Sequence, residues 1–152
     1  MFPETKLDKS EAIFVFGFSA LTPVVNDHYT ETTNKKILRK VISCRIHDMH
    51  QNFCVASPVL GLLCQAYPDR EGIVNAIRGM LHEEAIYIKN HAEATNKLAQ
   101  LKKLSGQDIY VITTDSGEIE MARETNVITL TPDEALKKIE EISQKKNGVV
   151  KK

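Results

Sequence analysis

The sequence predicts an α/β fold, a three-layer sandwich on a central, mainly parallel sheet of about five strands. Three observations carry this expectation. The runs AIFVFGF (12–18), FCVAS (53–57) and DIYVITT (108–114) are continuously apolar, as strands covered on both faces are. Stretches with helical spacing of apolar residues separate them. Strand and helix alternate along nearly the whole chain, and helices between strands make parallel crossovers.

The elements follow in order. AIFVFGF is the first buried strand. After the loop LTPVVNDHYT, the stretch ETTNKKILRKVISCRI sets Ile37, Leu38, Val41, Ile42 and Ile46 on one helical face. FCVAS is the second buried strand. Ser57-Pro58 then reads as an N-cap with proline at the first helical position, and the helix PVLGLLCQAY stops before Pro68. Asp69 is placed to cap REGIVNAIRGML, with Ile73, Val74, Ile77 and Leu81 inward. AIYIK (85–89) reads as a short strand. HAEATNKLAQLKKL turns Ala94, Leu98, Leu101 and Leu104 inward and stops at Gly106. DIYVITT and NVITL (126–130) are the remaining strands. Thr131-Pro132-Asp133-Glu134 has the spacing of a capping box, and DEALKKIEEISQKK closes the chain as a helix.

A length of 152 residues suits one domain with a proper core. Lys plus Arg and Asp plus Glu both number 20, so no overall basic charge argues for a nucleic-acid binder. A local basic stretch remains: Lys35, Lys36, Arg39, Lys40 and Arg45 against Glu31 and Asp48 make either a phosphate-facing helix or a solvated face. No apolar run reaches the roughly 20 residues that span a bilayer, so no membrane association is expected. MFPETKLDKSEA lacks an apolar signal core, and Cys44, Cys54 and Cys64 form no CxxC pair. Both features predict a cytoplasmic protein with free, mostly buried thiols. His47 and His50 share a helical face, with Asp48 beside it, without an evident third ligand, so a structural or solvent role is expected. No GxGxxG, GxxxxGK[ST] or Gly-x-Ser-x-Gly motif is present, so no nucleotide cofactor or serine hydrolase is indicated.

A parallel sheet places its functional groups at the carboxyl ends of its strands. Those ends are Gly17 to Leu21, Ser57 to Leu62, Asn90 to Glu93 and Thr113 to Ser116. Asp115 there has two readings. It is a metal ligand, or it caps the next helix through the Asp-x-x-Glu spacing with Glu118. Glu93 likewise is a ligand or a first-turn carboxylate facing the helix dipole.

The order of motifs resembles the PIN domain, a family of metal-dependent ribonucleases, over about residues 12–136. HAEATNKLAQLKKLSGQDIYVITTDSGEIEMARETNVITLTPDEAL is similar to the family's acidic helix start, strand, Thr-x-Asp turn, small helix and final strand. FVFGFSAL resembles its opening strand, and SPVLGLLC the helix that normally carries a glutamate. The resemblance implies three or four carboxylates around Mg²⁺ or Mn²⁺, hard cations that take oxygen ligands and activate water. Carried over, the first aspartate falls at Gly17, with Ser19 kept two residues on; the glutamate falls at Leu62 or Gly61; the remaining acids are Glu93 and Asp115, the latter flanked by Thr113 and Ser116. The implied catalytic set is thus Asp115, Glu93 and Ser19, and the implied metal ligands are Asp115 and Glu93. Asp27 and Glu118 are nearby acids able to substitute.

The expectation is a PIN-like domain with a degraded nuclease centre that binds RNA or a protein partner and cleaves poorly or not at all. No cofactor is then certain. One rival is an active ribonuclease using Mg²⁺ or Mn²⁺ with Glu93, Asp115 and a displaced acid. Another is an unrelated doubly wound α/β interaction protein. A homodimer is a candidate assembly by the same resemblance.

Overall fold

A computed structural model describes residues 12–26, 32–45, 52–104 and 106–151, with the side chains of 41–45 and 143–151 left aside. Its strands are β1 (Ile13–Phe16), β2 (Phe53–Ala56), β3 (His82–Glu84), β4 (Ile109–Ile112) and β5 (Ile128–Leu130). Its helices are α1 (Phe18–Asn26), α2 (Thr33–Arg45), α3 (Ser57–Ala66), α4 (Glu71–Met80), α5 (His91–Lys103), α6 (Ser116–Glu124) and α7 (Pro132–Lys151). The strands form one sheet in the order β3-β2-β1-β4-β5, and every pairing is parallel. The fold is therefore the α/β sandwich that the alternation predicts, with AIFVFGF central.

Burial follows from that order. Every residue of β1, β2 and β4 is buried, as their unbroken apolar runs require, while the edge strands β3 and β5 are largely half-buried. Phe14 of β1 stands opposite Phe53 of β2 and Tyr110 of β4. Its ring stacks on both, with centroids 5.6 Å apart in each case. Lys138 of α7 lies over the Tyr110 ring at 5.4 Å, which puts α7 on this face of the sheet. On α5 the buried face is Ala92, Thr95 and Ala99, flanked by Ala94, Asn96 and Leu98. These residues are small, so the helix lies close against β1, β2 and β4.

Several local expectations hold. Thr131 and Glu134 form the reciprocal capping box: Thr131 N donates to Glu134 Oε1 at 2.9 Å, and Glu134 N to Thr131 Oγ1 at 3.2 Å. Gly106, at φ +84°, follows the end of α5 in a conformation that favours glycine. Cys54 is fully buried, and burial pushes its thiol up to about 12. No described helix is long and apolar enough to cross a membrane.

Others change. The loop assigned to LTPVVNDHYT begins as helix, since α1 runs to Asn26 through Pro23. Proline there cannot bond the Ser19 carbonyl, and the Thr22 hydroxyl donates to it instead at 3.4 Å. Ser57 is not the cap of α3. Ala56 holds that position, and the Ser57 hydroxyl accepts from Ile86 N at 3.1 Å. Asp69 caps nothing, because Pro68–Arg70 form a separate 3-10 turn and Arg70 precedes α4. AIYIK is not a strand; β3 lies just before it. Glu84 pairs with Ala56, where β2 turns into α3, so residues 85–88 have no neighbour to join. Leu101 and Leu104 are exposed, because α5 is rotated from the 94-98-101-104 line toward 92-95-99. Asn126 leaves α6 at φ 60° and does not belong to β5. Asp27, Glu31, Ile46, His47, Asp48 and His50 lie outside the described residues, and of Val41, Ile42, Cys44 and Arg45 only the backbone is described.

Candidate functional site

The strand order turns at β1. From β1 the chain steps outward to β2 and β3, then crosses to β4 and β5 on the other side. Right-handed crossovers in opposite directions place their helices on opposite faces. The loops leaving β1 and β4 therefore part, and the crevice between them is where such sheets bind ligands. Here it lies between Gly17–Ser19 and Thr113–Asp115.

Polar side chains tie the two loops together. Ser19 Oγ accepts from Thr114 N at 2.7 Å and lies 3.1 Å from Thr113 Oγ1. Asp115 N donates to Thr113 Oγ1 at 2.9 Å. The centre of the network is Glu118, on the first turn of α6 and only 2 % exposed. Its carboxylate accepts a short hydrogen bond from the Thr113 hydroxyl, one from Phe18 N at 3.0 Å and one from the Thr95 hydroxyl at 3.3 Å. Each hydroxyl has one proton to give. With Glu118 ionised, Thr113 donates to Glu118 and Ser19 donates to Thr113.

Gly17 explains why the carboxylate can stand there. A β-carbon at position 17 would lie 2.8 Å from Glu118 Cδ and overlap Oε1. The glycine is needed for space and not for a left-handed backbone, because among the described glycines Gly106 alone has positive φ. The space beside residue 17 is thus filled by an acid reaching in from α6.

Asp115 does act as a cap. It is the N-cap of α6, and Oδ2 accepts from Glu118 N at 3.0 Å. That bond does not exhaust the carboxylate, and Asp115 also faces His91. The His91 ring packs at 5.2 Å against Phe18. Its Nε2 stands 3.7 Å from Asp115 Oδ2, is buried, and has no hydrogen-bond partner among the described residues. His91, Asp115 and Glu118 each offer a ligand atom, and the three atoms lie within 4.8 Å of one another.

Of the residues that sequence reasoning singled out, Ser19, Asp115 and the substitute acid Glu118 converge here and Glu93 does not join them. Asn90 caps α5, accepting from Ala92 N and Glu93 N, so His91 opens the helix. Glu93 follows two residues later, about 200° further round, and is exposed. Leu62 and Gly61 belong elsewhere, in an open groove with Ser57, Ile86, Tyr87 and Lys89. Among the described residues lining that groove none is acidic. His91 and Thr95 carried no signal in the sequence beyond their place in the helix after a strand end.

Burial raises the Glu118 carboxyl above the usual 4.5. Asp115 adds to the rise, while the bonds from Thr113 and Phe18 and the nearness of His91 oppose it. The folded protein then holds a proton that the unfolded chain has released, starting near pH 4.5. Stability relative to Glu118→Gln is expected to fall as pH rises from 4.5 through the raised value, because ionisation is penalised only in the folded state. Urea unfolding of both proteins across that range, with chelator present, checks this. Parallel curves would show that Glu118 does not titrate differently on folding.

Comparison with known proteins gives no match among family models, curated proteins or solved structures.

Proposed function

We propose that the chain is a PIN-like domain whose nuclease centre is degraded, and that it binds single-stranded RNA without cutting it efficiently. The observation that supports this most is Glu118. Its carboxylate takes the space of a side chain at position 17 and accepts from three protein donors. With three of its lone pairs taken, this acid has one left for a cation, too little to anchor Mg²⁺, which needs several oxygens at near-octahedral positions. The donor set does not fit that cation in other respects. Gly17 and Leu62 stand at two of the implied acid positions, Glu93 is outside the group, and a histidine nitrogen is inside it. No step of hydrolysis through Mg²⁺ or Mn²⁺ is derived from these residues.

Support for RNA as the partner comes from the face between α2 and α7. Lys36, Arg39 and Lys40 line a groove there with Leu136 and Glu140, so three cations stand against one acid. Such a groove suits a phosphate backbone, and its binding should weaken as salt rises. The rival nuclease reading keeps one supporting observation, the closeness of Asp115 and Glu118.

The experiment is a binding and cleavage assay on single-stranded RNA, with EDTA, Mg²⁺ or Mn²⁺. The expected result is salt-sensitive binding in EDTA, no cleavage above background in any condition, and little change in melting temperature with millimolar Mg²⁺. Mg²⁺-dependent cleavage that disappears in Asp115→Asn would establish the rival. Absence of RNA binding at low salt would refute the RNA reading and turn the search toward a protein partner.

A further inference from the structure

We infer that the crevice between β1 and β4 takes one divalent transition-metal ion of the zinc class, held by His91 Nε2, Asp115 and Glu118. The inference concerns the crevice discussed above, but it holds whether or not the chain binds RNA.

His91 carries the argument. A buried polar atom is normally paired, because leaving it unpaired costs free energy. His91 Nε2 is buried and has no hydrogen-bond partner among the described residues, and at 3.7 Å Asp115 Oδ2 is too far to be one. That spacing suits a shared ion better. With zinc bonds of roughly 2.0–2.2 Å, neighbouring ligand atoms stand about 3–3.5 Å apart. His91 Nε2 and Asp115 Oδ2, 3.7 Å apart, already stand near that spacing, and the ligand atoms of all three residues lie within 4.8 Å of one another.

The donors select the cation. Imidazole nitrogen suits zinc, nickel, copper and cobalt, whereas Mg²⁺ takes oxygen. The ligands are also held in place, as metal ligands generally are by the residues around them. The His91 ring packs on Phe18, Asp115 is fixed by Glu118 N, and Glu118 is fixed by Phe18 N, Thr95 and Thr113. A cation between Asp115 and Glu118 would also relieve the repulsion between the two carboxylates. Three protein ligands leave a position for water or a small anion.

The test is titration of the chelator-treated full chain with Zn²⁺ by calorimetry and with Co²⁺ by visible absorption. It uses the natural protein, His91→Phe and Asp115→Asn. His91→Phe keeps an aromatic ring against Phe18 and removes the nitrogen; Asp115→Asn keeps a good cap and removes the charge. The expected result is one ion per chain, weakened at least about 10-fold in each variant, since losing a ligand costs no less than losing one of its outer partners. Equimolar Mg²⁺ should not displace it. If His91→Phe does not fold in EDTA, Asp115→Asn alone decides. No Zn²⁺ or Co²⁺ binding by the natural protein would overturn the inference. Unchanged binding in the folded variants would overturn it as well, since the ion would then sit elsewhere. RNA binding in EDTA is measured separately, so failure of the metal site and failure of the RNA reading remain distinct.

Discussion

Gly17→Asp is expected to destabilise the protein by about 3 kcal/mol or more, by stranding buried donors. The new side chain needs the space that Glu118 occupies, and a β-carbon alone would come within 2.8 Å of Glu118 Cδ. Glu118 must leave, and Phe18 N, Thr95 and Thr113 lose their acceptor. A second carboxylate in the same small volume adds like-charge repulsion. An aspartate at position 17 therefore replaces an acid and does not add one. The control is Gly17→Asp with Glu118→Ala, which moves the carboxylate from α6 to the residue after β1. The double variant should recover at least half of the lost stability, because neighbouring residues that compete for one space are not additive. Urea denaturation of the natural protein, both single variants and the double variant measures this. A Gly17→Asp protein as stable as the natural one would mean that Glu118 does not occupy the space beside residue 17.

Phe14→Ala is expected to cost about 3–5 kcal/mol, the range for deleting a buried aromatic side chain. Phe14 is fully buried in the central strand, and its ring is the middle member of a stack running from Phe53 to Tyr110. Removing it opens a cavity between β2 and β4, and the parallel hydrogen bonds on both sides of β1 resist collapse. Phe14→Leu keeps much of the volume and should cost less than about half as much. The urea midpoint should move by more than about 1 M for alanine, with little change in slope. A loss below about 1 kcal/mol for alanine would show that the stack is not part of the stable core.

The sequence by itself determined what depends on neighbours along the chain. An unbroken apolar run such as AIFVFGF or DIYVITT needs cover on both faces, so β1, β2 and β4 and the parallel sheet were legible. So were the capping box at Thr131 and Glu134 and the stop at Gly106, because a helix end is satisfied within a few residues. The Asp115–Glu118 cap was legible as one of two readings for the same reason.

Tertiary structure alone decided what depends on register and rotation. AIYIK has the alternation of a strand, yet β2 had already turned into α3 and left it nothing to pair with. Glu93 and His91 are both in the first turn of α5; the way that turn docks brings His91 to Asp115 and leaves Glu93 exposed. The aromatic stack exists because Phe14, Phe53 and Tyr110 fall at one level of three strands. The contact between Gly17 and Glu118 joins positions about a hundred residues apart in a crevice created by the turn in strand order. A missing side chain at one position and a buried acid at the other are unremarkable separately; folding puts the second in the space left by the first.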